Sequence, residues 1–480
     1  MKNNSYINKV LNLILGLSSN ALFLLIFLLT SFFYLKKEEF SYFAGLFIFE
    51  NILIFFDLVI GTLIINSALE KEQKKIINFF FKILIIFSIL FILINFFFLK
   101  ELFWIYIFKE NKELLKLFLV LVPLAIIIRI FINFFRSILI LGSQQILVGR
   151  IQSFSSLFKI SILMIFLTLS KTIQSLLFAY ILGYIFELVL FLFLGNKKIL
   201  FNFYFFFKNK INKNFLISIL NLSLLSLSIL LFFTLDRIFI SYNALEAEVG
   251  EYNFIRSLLL GLFILGSSYY YVLTPELIKA FLNPELQNKI FLKFFKSLNL
   301  ILIFITVVGL FFFEKIFYDF KLDQFFKIDN FLVFKFILLA SYFNILNLLV
   351  IGFQLSKSYF TIPAIINFLI IIISFFLMNS TFGRFNIEGV AFIFFLMNLF
   401  NFFLNLVALK YSFKKIFTNN AILEIFKNLL FHSSILVLFL NIIYQLLYNH
   451  SKMLFFFILA LLSFYIFYLS QKVLKSKNKL

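Results

Sequence analysis

Runs of about 20 apolar residues recur from one end of this chain to the other, and that repetition leaves room for only one architecture. A helix rising about 1.5 Å per residue needs about 20 of them to cross a hydrocarbon core of about 30 Å. Within such a core every backbone N–H and C=O must be bonded inside the segment, which helices achieve and open strands do not. Of the 480 residues, 63% are hydrophobic and 14% charged. The sequence is that of an all-α polytopic membrane protein. Apolar windows set against charged breaks predict fourteen transmembrane helices: 10–34, 40–66, 76–99, 117–141, 151–170, 173–194, 215–241, 253–275, 297–313, 331–354, 359–379, 389–409, 429–447 and 453–470.

The charges between these spans are sorted. The side that holds both termini carries 24 Lys and Arg, among them Lys71, Lys197, Lys208, Lys289, Lys414 and Lys472, and the other side carries 12. The positive-inside rule places both termini in the cytoplasm of an inner (plasma) membrane protein. Acidic residues run the opposite way, with Glu246, Glu248 and Glu251 in one outer loop and Asp319, Asp323 and Asp329 in another. The net charge of +21 belongs to residues flanking apolar helices, where it suits anionic membrane lipids; no soluble basic domain is present to bind nucleic acid. Thiolate metal sites are excluded because there is no Cys, and His432 and His450 lie far from any carboxylate cluster, so neither a metal nor a cofactor is expected. No outer loop is long enough for a folded catalytic domain, and no Gly-rich phosphate loop is followed by Lys-Ser/Thr. The abundant Phe, Ile, Asn and Lys read as coding bias.

An internal repeat organises the spans. A shift of about 209 residues sets Glu39-Phe40-Ser41-Tyr42-Phe43 on Glu248-Val249-Gly250-Glu251-Tyr252, and one of 210 sets Leu141-Gly142-Ser143-Gln144 on Ile351-Gly352-Phe353-Gln354. The domains expected are a six-helix lobe over 1–195, a basic interfacial linker over 196–214, a second six-helix lobe over 215–410, and two added helices with a basic tail over 411–480. Two lobes of the same orientation have a seam between them, the natural place for a substrate and for alternating access.

Eleven charges fall inside the spans: Glu50, Asp57, Lys82, Arg129, Arg136, Lys159, Glu187, Asp236, Arg237, Arg256 and Lys335. An ionised group facing lipid near mid-depth costs at least about 2.5–3.5 kcal/mol, so these should face protein or water. Lys82, Arg256 and Lys335 lie near span ends and are expected to snorkel. Glu50 and Asp57 sit two turns apart on one helix face, as do Arg129 and Arg136. They either pair within the lobe or line the seam, where Arg129 and Arg136 would bind an anionic substrate. Asp236 and Arg237 point about 100° apart. Lys159 and Glu187 are candidates for an ion pair, structural or coupling. Glu50, Asp57 and Asp236 are the carboxylates placed to carry a coupling H⁺ or Na⁺.

Five short stretches stand out: Leu35-Lys36-Lys37-Glu38-Glu39-Phe40-Ser41-Tyr42 with Asp57-Leu58-Val59-Ile60-Gly61, then Leu235-Asp236-Arg237 with Val249-Gly250-Glu251-Tyr252, and finally Phe382-Gly383-Arg384-Phe385-Asn386-Ile387-Glu388-Gly389-Val390-Ala391 at the opening of span twelve. In their order and spacing they resemble the polysaccharide or oligosaccharide-lipid flippases of the multidrug/oligosaccharidyl-lipid/polysaccharide exporter superfamily. The resemblance implies a transporter that moves a polyprenyl-diphosphate-linked glycan, such as an O-antigen or capsule repeat unit, from the inner to the outer leaflet. Arg129, Arg136 and Arg237 would then meet the diphosphate. Ser41 stands where the family has Gly, and span one has no Arg, which weakens a peptidoglycan-precursor substrate. The alternatives are a drug or cation exporter of the same superfamily, which an acidic cavity would favour, and a membrane-embedded glycan polymerase or acyltransferase. The span charges, seven basic and four acidic, favour an anionic cargo.

Overall fold

The computed structural model describes residues 112–429, with interruptions of which 196–212 and 320–330 are the longest, and scattered positions within 9–26, 81–93 and 462–473. Glu50, Asp57, His432 and His450 lie outside the described residues, as do most of the first three and last two expected spans. The described helices are α1 (Lys112–Leu141), α2 (Gln145–Leu169), α3 (Ile173–Gly195), α4 (Lys213–Asn243), α5 (Glu246–Leu260), α6 (Phe263–Lys279), α7 (Pro284–Asp319), α8 (Phe331–Ser356) and α9 (Thr361–Ser412). Seven of them are long and apolar enough to cross a membrane, so the protein is a multi-pass membrane protein. The chain divides into two compact units, Leu11–Thr234 and Met1–Val10 with Leu235–Leu480, the division falling inside α4.

In the first unit α3 packs on both α1 and α2. A helical segment through Asn12 and Gly16 crosses α2 with its backbone in contact: a Cβ on Gly149 would lie 2.1 Å from the Asn12 carbonyl oxygen, and one on Gly16 would lie 2.6 Å from that of Gly149. Only glycine fits such a crossing, the small-residue packing that lets membrane helices gain dispersion contact where no hydrophobic force operates. Further along, Phe23 lies 5.6 Å from the Lys159 ammonium. The contacts therefore advance together along both chains, and the two helices run parallel.

In the second unit α8 is the central helix, packed by α5, α6, α7 and α9. Its buried face includes Val333, Ile337, Ile345, Leu349 and Phe353. The Asn283 side chain caps α7 by accepting from the Leu286 N–H at 3.0 Å, and Pro284 opens the helix where a missing N–H costs nothing. The basic stretch expected as loop around Lys289, Lys293 and Lys296 is therefore the first turns of α7. Glu246, Glu248 and Glu251, expected in an outer loop, likewise lie in the first turns of α5.

Two interruptions depart from simple spans. Expected span eight is broken between α5 and α6, where Leu262 N–H bonds the Leu259 carbonyl and Leu265 N–H bonds that of Leu262, a tightened three-residue pattern. A straight α9 of 52 residues would reach about 78 Å, more than twice the hydrocarbon core. Instead Asn386 takes φ 45°, ψ −135°, and a Cβ on Gly389 would come within 3.3 Å of the Thr381 carbonyl oxygen, although eight residues of straight helix span about 12 Å. The chain reverses there, and the two arms of α9 are expected spans eleven and twelve.

Asn386→Gly is expected to hold or raise thermal stability in detergent, and Asn386→Val to lower it by about 1–3 kcal/mol, because a β-branched residue strains this backbone region. Single cysteines at Tyr242 and Leu282, both strongly exposed at helix ends, should be labelled by an impermeant maleimide from opposite sides of the membrane, Tyr242 from outside. Labelling of both from one side would overturn the expected orientation.

Candidate functional site

Each unit gathers charge inside its helices. In the first, Tyr180, Tyr184 and Glu187 follow the 4–3 spacing that aligns them on one face of α3. Lys159, fully buried on α2, forms an ion pair with buried Glu187. Its stem fits because residue 183 is glycine: a Cβ there would stand 2.5 Å from the Lys159 Cγ. The ammonium also lies 3.9 Å from the centre of the Tyr184 ring. Arg129, half-buried on α1, places its guanidinium carbon 4.9 Å from the same ring centre and donates to the Tyr180 hydroxyl at 3.1 Å. One aromatic ring therefore serves two cations. Arg136 is buried two turns further along α1. The other expected members of this group, Glu50 and Asp57, lie outside the described residues.

Polar residues continue down α2. Gln145, Gln152 and Lys159 recur every seven residues and are all buried, with Ser155 and Ser156 beside them. The two serine hydroxyls donate to the Gln152 carbonyl at 3.0 and 2.8 Å, so the helix absorbs them without exposing a donor to lipid.

In the second unit Asp236 on α4 meets Arg256 on α5, Nε to Oδ2 at 2.8 Å, with a longer second contact from Nη2 to Oδ1 at 3.4 Å. The Tyr252 hydroxyl donates to Asp236 Oδ2 at 2.7 Å. Arg256 does not snorkel as expected from its position; it is 4% exposed, and its guanidinium lies 4.0 Å from the centre of the Phe394 ring on the second arm of α9. The carboxylate drew it inward, because a buried Asp236 without a counter-charge would be far costlier than a desolvated pair. Adjacent Arg237 is also buried. The candidate carboxylate Asp236 is thus engaged by Arg256, a residue whose place near a span end suggests the membrane surface instead.

Sequence reasoning also passed over a set of buried amides. Asn398, Asn401 and Asn405 share one face of α9, and Asn405 donates to the Asn401 side-chain oxygen at 2.6 Å and to its carbonyl at 2.9 Å. Gln354 on α8 reaches the Asn405 carbonyl at 3.4 Å, and Tyr342 donates to Asn299 on α7 at 2.7 Å. The signal was present as the 3–4 spacing of Asn398, Asn401 and Asn405, obscured by the general abundance of Asn. Among the described residues no group of three or more His, Cys, Asp or Glu could hold a metal ion.

No protein-family model matches the chain, and no curated sequence matches it. Solved structures do. An outward-facing multidrug-resistance MATE family transporter of the MOP superfamily aligns with a TM-score of 0.68 over 86% of this chain and 96% of its own, at 15% identity. The fold is that of the MATE transporters. A MOP superfamily transporter from Pyrococcus furiosus, described as having a binding pocket of reverse polarity, aligns at 0.70 with 16% identity over 86% of this chain and 96% of its own. A variant of the Vibrio cholerae MATE transporter VcmN aligns at 0.65 with 11% identity, covering 86% and 97%. At such identities the likeness is one of fold.

Removing one member of the Lys159–Glu187 pair should be worse than removing both. Glu187→Gln is expected to destabilise by about 3–5 kcal/mol, while the Lys159→Met/Glu187→Leu double variant recovers most of the loss, read as thermal unfolding in detergent. Gly183→Ala should resemble the single variant, because its Cβ displaces the Lys159 stem.

Proposed function

We propose that this protein is a membrane transporter that moves an amphipathic organic solute bearing an anionic group, by alternating access within a MATE-type fold. The observation that carries this reading is Arg129, half-buried against a tyrosine ring it shares with Lys159. A guanidinium held by aromatic faces stays weakly hydrated and presents a fork to carboxylates or phosphates. Buried cations of this kind support an anionic cargo over a cationic one. The MATE-type fold supports the exporter alternative over the lipid-linked oligosaccharide flippase as the class of transport.

A second reading keeps the polyprenyl-diphosphate-linked glycan as cargo. It is favoured by the stretch Phe382–Ala391 around the α9 reversal and by the buried amides Asn398, Asn401 and Asn405, since amides suit sugar hydroxyls. Both readings take Arg129, Arg136 or Arg237 as the candidates for the anionic group. Coupling to H⁺ or Na⁺ belongs to Glu50, Asp57 or Asp236, and at Asp236 the incoming ion would have to displace Arg256 from the carboxylate. Anionic lipids of the cytoplasmic leaflet are the expected surroundings of the α6–α7 turn. There Leu282 is 93% exposed, and the Lys357 ammonium donates to the Phe281 carbonyl at 3.4 Å and lies 4.0 Å from its ring centre.

Transport in proteoliposomes under an imposed pH or Na⁺ gradient tests the proposal with three cargoes: an anionic xanthene dye, a cationic xanthene dye and a fluorescent polyprenyl-diphosphate disaccharide. The anionic dye should move, and Arg129→Ala should slow it about tenfold or more, as loss of a charge-assisted contact implies. Movement of the disaccharide lipid alone supports the second reading. Movement of the cationic dye alone, or an Arg129→Ala variant as fast as wild type, overturns the assignment of an anionic cargo to Arg129.

A further inference from the structure

The second unit carries buried side-chain amides whose hydrogen bonding does not close. On the second arm of α9, Asn398, Asn401 and Asn405 follow Phe394 along one helix face, and all three are buried. The Asn398 amide donates to the Phe394 carbonyl at 2.8 Å, and that of Asn405 donates to Asn401. The side-chain oxygen of Asn405 has no partner.

Helix α8 faces this arm with the same imbalance. The two run parallel, since Phe336 meets Phe392 with ring centres 5.2 Å apart, Phe343 meets Phe402 at 5.8 Å, and Gln354 reaches the Asn405 carbonyl. Asn347 lies one turn from Phe343 and two from Gln354 on that same face, level with the asparagines of α9. The side-chain oxygens of Asn347 and Gln354 are buried and unpaired as well. Turning such an amide over strands its N–H₂ instead of its oxygen, so the imbalance is not one of amide orientation. Three buried acceptors along one helix interface call for donors from outside the chain. Water fits, because it donates twice and settles where polar interiors leave groups unpaired.

The ends of this face give it a direction. At one end Gln354 lies beside the α8–α9 turn, where the Lys357 ammonium donates to the Phe281 carbonyl of the α6–α7 turn at 3.4 Å. At the other, the Phe394 ring lies under the Arg256 guanidinium, and Arg256 holds Asp236. Between Phe394 and Asn405 the helix rises about 16 Å.

We propose that Asn347, Gln354, Asn398, Asn401 and Asn405 hold a buried file of water that joins the turn end of the second unit to the Asp236–Arg256 pair. Its walls are neutral amides, which give an ion access without holding it. The file rests on the unpaired amides and not on the choice of coupling carboxylate; where Asp236 carries the coupling ion, the file is that ion's route.

Native cysteine is absent, so single cysteines report water directly. Ag⁺ travels through water and binds the thiolate, which a dry apolar site suppresses. In nanodiscs, where Ag⁺ reaches both faces, Asn347→Cys, Asn398→Cys and Asn405→Cys should be capped about tenfold or more faster than Ile345→Cys and Leu349→Cys, buried apolar positions of α8, read as protection from a maleimide added after denaturation. A second measurement uses the unaltered protein. X-ray radiolysis turns bound water into hydroxyl radicals, and Met397, 1% exposed and one turn from Asn401, should be oxidised to its sulfoxide. In Gln354→Leu/Asn405→Leu, which removes two stranded oxygens, that oxidation should fall about threefold or more. If the cysteine variants fail to fold, Met397 decides alone. Amide-site cysteines capped no faster than the apolar pair, or a Met397 that stays unoxidised in the unaltered protein, overturn the file.

Discussion

Hydrocarbon solvates neither peptide groups nor charge, and nearly every local choice in this chain answers to that fact. Serine hydroxyls turn back onto carbonyls of their own helices, as Ser137 does to Asn133 at 2.8 Å and Ser341 to Ile337 at 2.8 Å. Asn398 does the same with its amide, to the Phe394 carbonyl at 2.8 Å. Lys159 and Arg256, which have no route to water from full burial, each find a carboxylate on a neighbouring helix and an aromatic ring beside it. The ion pairs add little net stability over an apolar packing, yet each fixes which two helix faces meet.

The same constraint decides where helices are allowed to break. The Asn386 reversal lies in the exposed turn between the two arms of α9, whereas the break between α5 and α6 lies in a helix packed against α8. Irregular backbone at membrane depth is tolerated where protein covers it. Such places are also the cheapest to bend, because the ladder bonds that resist bending are already missing there. Regularity elsewhere, as in the unbroken α7 and α8, supplies the frame against which a bent element is positioned.

The long elements were legible because they are governed by one-dimensional signals. Apolar run length located α1, α2, α3, α4 and α8 to within a few residues, except that α1 and α2 each begin about five residues earlier than read. The interruption of span eight was not legible, since Leu259 to Leu265 is as apolar as any intact helix and the break is a matter of backbone geometry. The pairing of Lys159 with Glu187 was within reach, as opposite charges on adjacent spans at similar depth. That of Asp236 with Arg256 was not, because a position near a span end is compatible both with access to water and with full burial. Burial is set by the neighbouring helices, and single-chain spacing does not report it. Tyr180 and Tyr184 escaped for the opposite reason: among so many aromatic residues, no pattern marks the two that touch a cation.

The ring of Tyr184 has a consequence beyond packing. Because Arg129 and Lys159 both rest against it, their positions are not independent: a ligand that pulls Arg129 away alters the field felt by Lys159 and its carboxylate partner. Were one ligand to bind at Arg129 and a second at the Lys159–Glu187 pair, reciprocity would require each to change the affinity of the other by the same factor. A single phenol ring thus makes two helices, α1 and α2, share one equilibrium.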